Sequence, residues 1–170
     1  MVAGGELVRA VTYSGGGLDT TCEITLSKEE MSATLSEWLR AWNQHDLDRV
    51  MDLFHDEVIF ENWTGAKVKG KRALCRAWTP WFANHGGSRF IEKETLIDEA
   101  AQSALLRWRL EWPSTARGYE GKLERREGVD VLHFCDGKII QKLTFSKTVV
   151  EIDASAVQLA VDVRARPGSG

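Results

Sequence analysis

Several features are scarce in this chain of 170 residues, and each absence narrows the possible functions. The net charge is −3 with both signs interspersed, so there is no basic patch of the kind that nucleic-acid binding needs. No apolar run approaches the length of a membrane span. The first residues lack the basic and apolar regions of a signal peptide. These absences predict a cytoplasmic protein with neither a nucleic-acid partner nor a membrane partner.

Cysteine is scarce as well. Cys22, Cys75 and Cys135 are odd in number and have no metal-ligand spacing, which predicts reduced thiols. The four histidines fall at predicted turns or on outward faces, and they share no spacing that would place them around one ion. The sequence therefore predicts no metal and no cofactor.

The apolar residues that are present, 43% of the chain, suffice for one domain with a sizeable core. Residues 1–26 are predicted to form a flexible arm or to add a single strand. Residues 27–150 are predicted to form the domain, and residues 151–170 a tail. Order begins at a capping box, Ser27-Lys28-Glu29-Glu30, followed by two helical apolar stripes. A third helix is predicted from Lys71 to Asn84, and Pro80 is expected to kink it or to restart it.

The hydrophobic period then changes from 3.6 to 2, which is typical of strands. A strand is also predicted earlier, over His55–Trp63. The later predicted strands are Phe90–Leu96, Ser103–Trp112, Tyr119–Phe134 and Lys138–Val150. The third of these is too long to be regular, so a bulge or a bend is expected at Arg126-Glu127-Gly128. A further helix is possible over Ala154–Val163. The predicted fold is α+β, a cone-shaped barrel of three N-terminal helices on a curved, mainly antiparallel sheet that encloses an apolar pocket.

Asn62 is the most informative single residue. In the alternating strand it shares a face with Val58 and Phe60, so its amide is expected to point into apolar space. A buried amide costs free energy unless it is hydrogen-bonded. Asn62 is therefore either a satisfied structural group or a group that handles a ligand.

Four segments together resemble a known family. They are the helix junction Asn43-Gln44-His45-Asp46-Leu47-Asp48, the strand His55–Trp63, the turn Val68-Lys69-Gly70-Lys71, and the strand pair from Gly128 to Ile139. The chain resembles the SnoaL-like branch of the nuclear transport factor 2-like superfamily, which includes ketosteroid isomerases, polyketide cyclases and limonene epoxide hydrolases. The resemblance implies a cone with a deep apolar pocket, a small hydrophobic molecule as partner, and a homodimer formed through the outer sheet face.

The resemblance assigns roles to particular residues. In ketosteroid isomerases the position of Asn62 holds the catalytic Asp, which Asn cannot replace as a base. Asp130 falls on the oxyanion-hole Asp of that family, and Trp38 falls on its Tyr. Asp130 is expected to face inward with Leu132, where desolvation would let it donate a hydrogen bond to an oxyanion; the alternative is an Asp paired with Arg or Lys.

Limonene epoxide hydrolases imply a different site. There an Asn at the position of Asn62 helps to hold water, and an Arg-x-Asp pair resembles Arg109-Leu110-Glu111. Their third member falls on Thr144, so the triad is incomplete. Plain alternation favours the opposite orientation for the pair, with the Trp108 face inward and the Arg109 and Glu111 face outward.

The last strand carries the same ambiguity. Lys142 and Thr144 alternate with Leu143 and Phe145. A pocket lysine could act as a base or form a Schiff base, whereas a solvated lysine on the sheet face is the simpler interpretation. The predicted ligand-binding residues are Trp38, Trp42, Phe60, Trp78, Trp81, Phe82, Leu132, Lys142 and Thr144.

Three functions follow from these patterns. The first is a cofactor-free enzyme for a hydrophobic cyclic or polyketide-like molecule, in which Asp130 polarises an oxygen and Asn62 orients substrate or water. The second is water addition to an epoxide or ring by Asn62, Arg109 and Glu111. The third is a ligand-binding or association domain without catalysis, for which the loss of the Asp base would be natural.

Overall fold

The computed structural model describes residues 11–15 and 18–159 of the chain. Its helices are α1 (Lys28–Asn43), α2 (Leu47–Asp52) and α3 (Lys71–Ala83). Strands β1 (Val11–Gly15) and β2 (Leu18–Cys22) pair with each other, where the sequence predicted an arm or one added strand. The remaining strands are β3 (Phe54–Glu61), β4 (Lys67–Lys69), β5 (Arg89–Asp98), β6 (Ser103–Pro113), β7 (Leu123–Cys135), β8 (Lys138–Ser146), β9 (Val149–Ile152) and β10 (Ser155–Gln158).

Strands β3 to β10 form one sheet, in which β7 is the hub. It pairs with β6 along one edge, and with β8 and then β9 along the other. All pairings are antiparallel except β3 with β8, which is parallel. Three helices packed on a curved, mostly antiparallel sheet confirm the predicted α+β fold.

The helices begin where capping chemistry predicts. The Ser27 side chain accepts from the backbone N–H of Glu30, whose carboxylate accepts from the backbone of Ser27, which completes the capping box. Asp46 caps α2 through its side chain, which accepts from the backbone N–H of Arg49. Of the two expectations for Pro80, the restart is wrong, because α3 runs through Pro80 to Ala83, and the kink stays a prediction. None of the helices described is both long and apolar enough to span a membrane.

Cys22 and Cys135 form a disulfide that ties β2 to the end of β7. The prediction of reduced thiols is therefore wrong for these two residues, and Cys75 alone is free. Sequence spacing could not reveal the pair, because the two cysteines are separated by 113 positions. Disulfides persist mainly in oxidising compartments, so the cytoplasmic location loses the support of reduced thiols and stays a prediction.

Two predictions about the strands are also wrong. The register of β6 with β7 runs without a shift past Gly128, so there is no bulge at residues 126–128 on that side; the irregularity of β7 lies at His133 and Phe134, against β8. Residues 155–158 form β10, a strand paired with β9, where a helix over 154–163 was predicted. The rest of the predicted tail, from residue 160, lies outside the described residues.

Candidate functional site

An aromatic cavity of about 240 Å³ lies between helices α1 and α3 and the inner face of the sheet. All seven tryptophans of the chain line it. Its lining residues are Trp38, Trp42, Phe60, Asn62, Trp63, Ala77, Trp78, Trp81, Phe90, Trp108, Leu110, Trp112, Lys142 and Thr144. At roughly 30 Å³ of liquid volume per water, the cavity has the volume of about eight waters. It is therefore suited to a small, flat molecule.

A larger cleft of about 940 Å³ is a poorer candidate. It is open to solvent at the start of α3, and charged side chains such as Asp52, Lys69, Arg72 and Arg76 line much of it. Ligand sites are mostly apolar enclosures with a few convergent polar groups. The aromatic cavity has that character.

The polar groups of the aromatic cavity converge at Lys142. Its Nζ lies 2.8 Å from Oδ1 of Asp130 and donates to Oγ1 of Thr144 at 2.7 Å. Thr144 Oγ1 in turn donates to the same Asp130 oxygen at 2.7 Å. Lys142 and Thr144 line the cavity, whereas Asp130 lies behind them, fully buried. We call these three residues the lysine cluster.

Strand register explains the cluster. Lys142 and Thr144 are two positions apart on β8, so both side chains point to one face of the sheet. Asp130 pairs with Thr144 across β7 and β8, and Leu132 pairs with Lys142. A diagonal reach from Lys142 to Asp130 is within range of a long side chain. The simpler interpretation of Lys142, a solvated lysine, is wrong, since it is 5% exposed.

Two opposing effects act on the charge of Lys142: burial disfavours the ammonium, and the neighbouring carboxylate and rings favour it. Burial lowers the pKa of Lys142 below its ordinary value, and the attraction of Asp130 offsets part of that shift. The ammonium lies 5.3 Å from the ring centre of Trp38 and 5.4 Å from that of Phe60, and both rings favour a cation. Lys142 is thus a candidate proton-transfer group in a dry site.

Asp130 faces inward as expected, but its surroundings match the paired alternative. Both Lys142 and Thr144 contact its Oδ1, and they separate it from the cavity. Its Oδ2 is buried without a hydrogen-bond partner among the described residues. Direct donation from Asp130 to a bound oxyanion does not fit this position. Asp130 is placed to act through Lys142 and Thr144.

Asn62 lines the cavity, yet its carbonyl is already in use. Oδ1 accepts from the backbone N–H of Thr64 at 2.9 Å, from the Thr64 hydroxyl at 2.7 Å and from the N–H of Ala66 at 3.2 Å. These bonds hold the turn between β3 and β4. The amide oxygen is therefore a structural group, and the amide nitrogen is the part available to a ligand.

Arg109 and Glu111 lie outside the cavity. They alternate on β6 with Trp108, Leu110 and Trp112, which line it. Arg109 pairs with Glu111 at 3.1 Å on the opposite, partly exposed face. The water-activating role implied by the hydrolase resemblance therefore does not fit the structure, and the orientation favoured by plain alternation holds.

The remaining predicted ligand residues divide into two groups. Trp38, Trp42, Phe60, Trp78 and Trp81 line the cavity together with Lys142 and Thr144. Phe82 and Leu132 are buried in the core and do not line it. Both residues lie on the same apolar faces of their elements as residues that line the cavity. The sequence pattern therefore could not distinguish core residues from cavity residues.

The alternation that puts Asn62 on one face with Val58 and Phe60 predicts Trp63 on the opposite face, and this prediction is wrong. Strand β3 ends at Glu61, and the turn held by Asn62 redirects the chain before Trp63. The indole of Trp63 then reaches the cavity near Trp112, with ring centres 6.4 Å apart. The Thr64-Gly65 turn signal indicated where alternation could fail, but not where Trp63 would point.

A second buried ion pair supports this wall of the cavity, and the sequence gave no signal for it. The Arg126 guanidinium donates to Glu124 Oε1 through Nε at 3.0 Å and Nη2 at 2.8 Å, and Ser114 donates to Oε2 at 2.8 Å. Arg126 lies 4.8 Å from the Trp63 ring centre and 5.8 Å from that of Trp112. The pair therefore fixes both indoles in place.

Gly128 makes room for Trp108. A Cβ at this position would lie 2.4 Å from Cζ2 of Trp108 and 2.3 Å from the backbone oxygen of Phe145. We expect Gly128→Ala to cost about 1–3 kcal/mol in the free energy of unfolding and to displace the Trp108 indole. Chemical denaturation and tryptophan fluorescence would measure both effects. Glu127→Ala, on the exposed face of the adjacent position, is the control, and an equal loss there would contradict the steric explanation.

Four indole N–H groups in the cavity wall lack partners. The Nε1 atoms of Trp38, Trp42, Trp108 and Trp112 are buried, and none has a hydrogen bond to a described residue. Buried donors in folded proteins are nearly always paired. The residues that line the cavity are therefore rich in unpaired donors, and the four Nε1 atoms themselves are buried behind the cavity surface.

One grouping of metal-ligand types occurs among the described residues. Ligand atoms of His55, Cys135 and Asp136 lie within 4.8 Å of one another. Cys135 is bonded to Cys22, so it offers no thiolate, and Asp136 Oδ1 accepts backbone N–H groups at 2.7 and 3.0 Å. Because these bonds already occupy two of the three side chains, we interpret the group as structural and not as a metal site.

Comparison with known proteins agrees with this architecture. The model of the SnoaL-like domain matches residues 35–142. No curated protein matches the chain. Among solved structures, the epoxide hydrolase/cyclase-like enzyme SalBIII, with a role in pyran ring formation in the polyether salinomycin, has a TM-score of 0.62 at 15% identity, covering 71% of this chain and 93% of its own.

Two further solved structures have the same fold. A candidate polyketide cyclase from Xanthomonas campestris pv. campestris has a TM-score of 0.60 at 13% identity, covering 71% of this chain and 92% of its own. A candidate ketosteroid isomerase from Kribbella flavida has a TM-score of 0.57 at 17% identity, covering 84% of this chain and 92% of its own. At these identities the likeness concerns the fold alone.

Proposed function

Because this chain belongs to the family of SnoaL-like domains, we propose that it is a cofactor-free enzyme acting on a small hydrophobic cyclic or polyketide-like molecule. The chemistry is proton transfer of the isomerase, cyclase or dehydratase type. One observation carries the proposal: the lysine cluster forms the polar end of a cavity that is otherwise aromatic. Such a combination of an apolar enclosure and a charged group is the usual form of an active site.

Lys142 is the proton-transfer group in this proposal. Burial favours its neutral amine, which can take a proton from carbon next to a carbonyl and return it elsewhere. Thr144 and Asp130 are positioning residues, because their hydrogen bonds fix Nζ at the cavity wall. The aromatic wall excludes water, which strengthens the electrostatic interactions at Nζ.

The unpaired donors indicate which hydrogen-bonding groups the substrate should carry. Four buried indole N–H groups and the Asn62 amide nitrogen favour acceptor oxygens in a ligand that brings few donors of its own. Carbonyl and ether oxygens on a flat ring satisfy this requirement. Placing such oxygens near the indoles would also stabilise the enolate that forms when a proton is removed.

Exchange of carbon-bound hydrogen for deuterium tests the proposal without knowledge of the natural substrate. β-Tetralone is a suitable probe because it joins an aromatic ring to a carbonyl with acidic neighbouring C–H groups. In deuterated buffer, we expect the protein to accelerate exchange by about 10²-fold or more over buffer, the usual contribution of general acid–base catalysis. Proton NMR measures the rate, which should increase with pH as the neutral amine forms.

Lys142→Arg should abolish the acceleration, because arginine keeps the charge but is not deprotonated in proteins. The matched control is Lys138→Arg on the same strand, whose Nζ is exposed and donates to the Asp52 backbone. Binding of β-tetralone without any acceleration would support the ligand-binding function instead. Acceleration that survives in Lys142→Arg would assign the chemistry to another group.

The donor-rich wall gives a separate prediction about affinity. Tetralin, α-tetralone and chromanone have similar shapes and carry successively more acceptor oxygens. We expect affinity to increase about tenfold along each step, since one satisfied buried donor contributes about 1–1.5 kcal/mol. Calorimetry measures the series. Trp38→Phe keeps an aromatic six-membered ring but removes the pyrrole ring with its unpaired N–H, so it should reduce the differences along the series. Equal affinities in the unaltered protein would contradict the prediction.

Water addition to an epoxide is the weaker alternative, because Arg109 and Glu111 lie on the opposite face from the cavity. The homodimer stays a prediction. Phe145 on the outer sheet face is 54% exposed, which would suit such a contact. Light scattering would test it.

A further inference from the structure

We propose that Lys142 captures aldehydes or ketones covalently, as a Schiff base at the polar end of the aromatic cavity. This inference rests on the proposed function for its substrate class, a flat molecule that carries a carbonyl. It goes beyond that function because proton transfer alone requires no bond between protein and ligand.

The position of Nζ carries the argument. Lys142 lines the cavity, while Thr144 and Asp130 hold its amine from the strand side at 2.7 and 2.8 Å. The rings of Trp38 and Phe60 flank it at 5.3 and 5.4 Å. A carbonyl carbon entering between these rings meets a primary amine, whereas an exposed lysine presents its amine to water.

Charge is conserved throughout the step. The Lys142 ammonium first gives a proton to the Asp130 carboxylate, and the neutral amine attacks the carbonyl carbon. Transfer of a proton from nitrogen to oxygen yields a carbinolamine. Its hydroxyl leaves as water with the proton held by Asp130, and a C=N bond forms. The products are one water and a protonated imine beside the Asp130 carboxylate, so no redox partner is needed.

The same charge balance makes the imine favourable here. A buried carboxylate without a cation is costly, and the iminium replaces the ammonium as the partner of Asp130. The neighbouring rings stabilise an iminium as they stabilise an ammonium.

Reductive trapping with β-tetralone and cyanoborohydride at neutral pH tests the inference. Cyanoborohydride reduces the protonated imine to a stable secondary amine, and peptide mass spectrometry locates it. We expect label at Lys142 to exceed label at Lys138 by about tenfold or more, because the cavity holds the ketone beside the Lys142 amine. Excess tetralin, which has the shape but no carbonyl, should suppress the label at Lys142 and leave that at Lys138 unchanged.

The outcomes separate this inference from the proposed function. Deuterium exchange that depends on Lys142, without label at Lys142, would overturn the Schiff base and leave the proton-transfer function intact. Label at Lys142 without exchange would support the Schiff base and contradict the proton-transfer function. Label distributed over lysines by exposure alone, or undiminished by tetralin, would overturn the inference. The labelling measurements use the unaltered chain, and only the dependence of exchange on Lys142 uses the Lys142→Arg variant with Lys138→Arg as its control.

Discussion

Lys142→Met is expected to lower the free energy of unfolding by about 3–5 kcal/mol, the cost of removing one partner from a buried ion pair. The methionine has a similar length and adds no strain. The loss arises because Asp130, fully buried, is left with Thr144 as its one remaining donor among the described residues. Urea denaturation measures the change.

A second substitution separates lost pairing from lost packing. Lys142→Met combined with Asp130→Leu should recover most of the stability, because an apolar pair of similar volume often replaces a buried ion pair without loss. The control is Lys147→Met, which breaks the exposed pair of Lys147 and Glu127 and should cost less than about 1 kcal/mol. Equal losses at Lys142 and Lys147, or a double variant worse than Lys142→Met, would contradict the buried-pair explanation.

Loss of the disulfide is the second large effect. We expect Cys22→Ala with Cys135→Ala to lower the free energy of unfolding by about 2–5 kcal/mol, because the bond closes a long loop and restricts the unfolded chain. The two cysteines are 113 positions apart. Denaturation with and without a reducing agent measures the effect, and reduction of the unaltered chain should reproduce the loss.

Cys75→Ala is the control for this prediction. Cys75 is a free thiol, so its substitution should leave the response to reducing agent unchanged. Three titratable thiols in the oxidised, unfolded chain would contradict the bond. The result bears on the predicted location as well, since disulfides persist mainly in oxidising compartments.

The fold could be predicted from the sequence because its signals are local and periodic. Ser27 and Glu30 predict the start of the first helix through their capping box. The change in hydrophobic period after α3 predicts the strands. The helical stripes placed Trp38 and Trp78 inside correctly. Alternation failed at Trp63, because β3 ends at Glu61 and Trp63 lies in the following turn, where side chains do not alternate between the faces of a sheet.

The sequence by itself determined helices α1 to α3, the strands from β3 to β8, the α+β class and the concentration of aromatic residues on inward faces. It could not decide which polar face points inward, because Arg109-Glu111 on β6 and Lys142-Thr144 on β8 show the same alternation. The tertiary structure decides this by register. Pairing of β7 with β8 sets Asp130 beside Lys142, and this ion pair offsets the cost of burying the lysine charge. Arg109 and Glu111 instead form an ion pair on the outer face. A charge is buried only where a distant strand supplies its partner, and that information is not local.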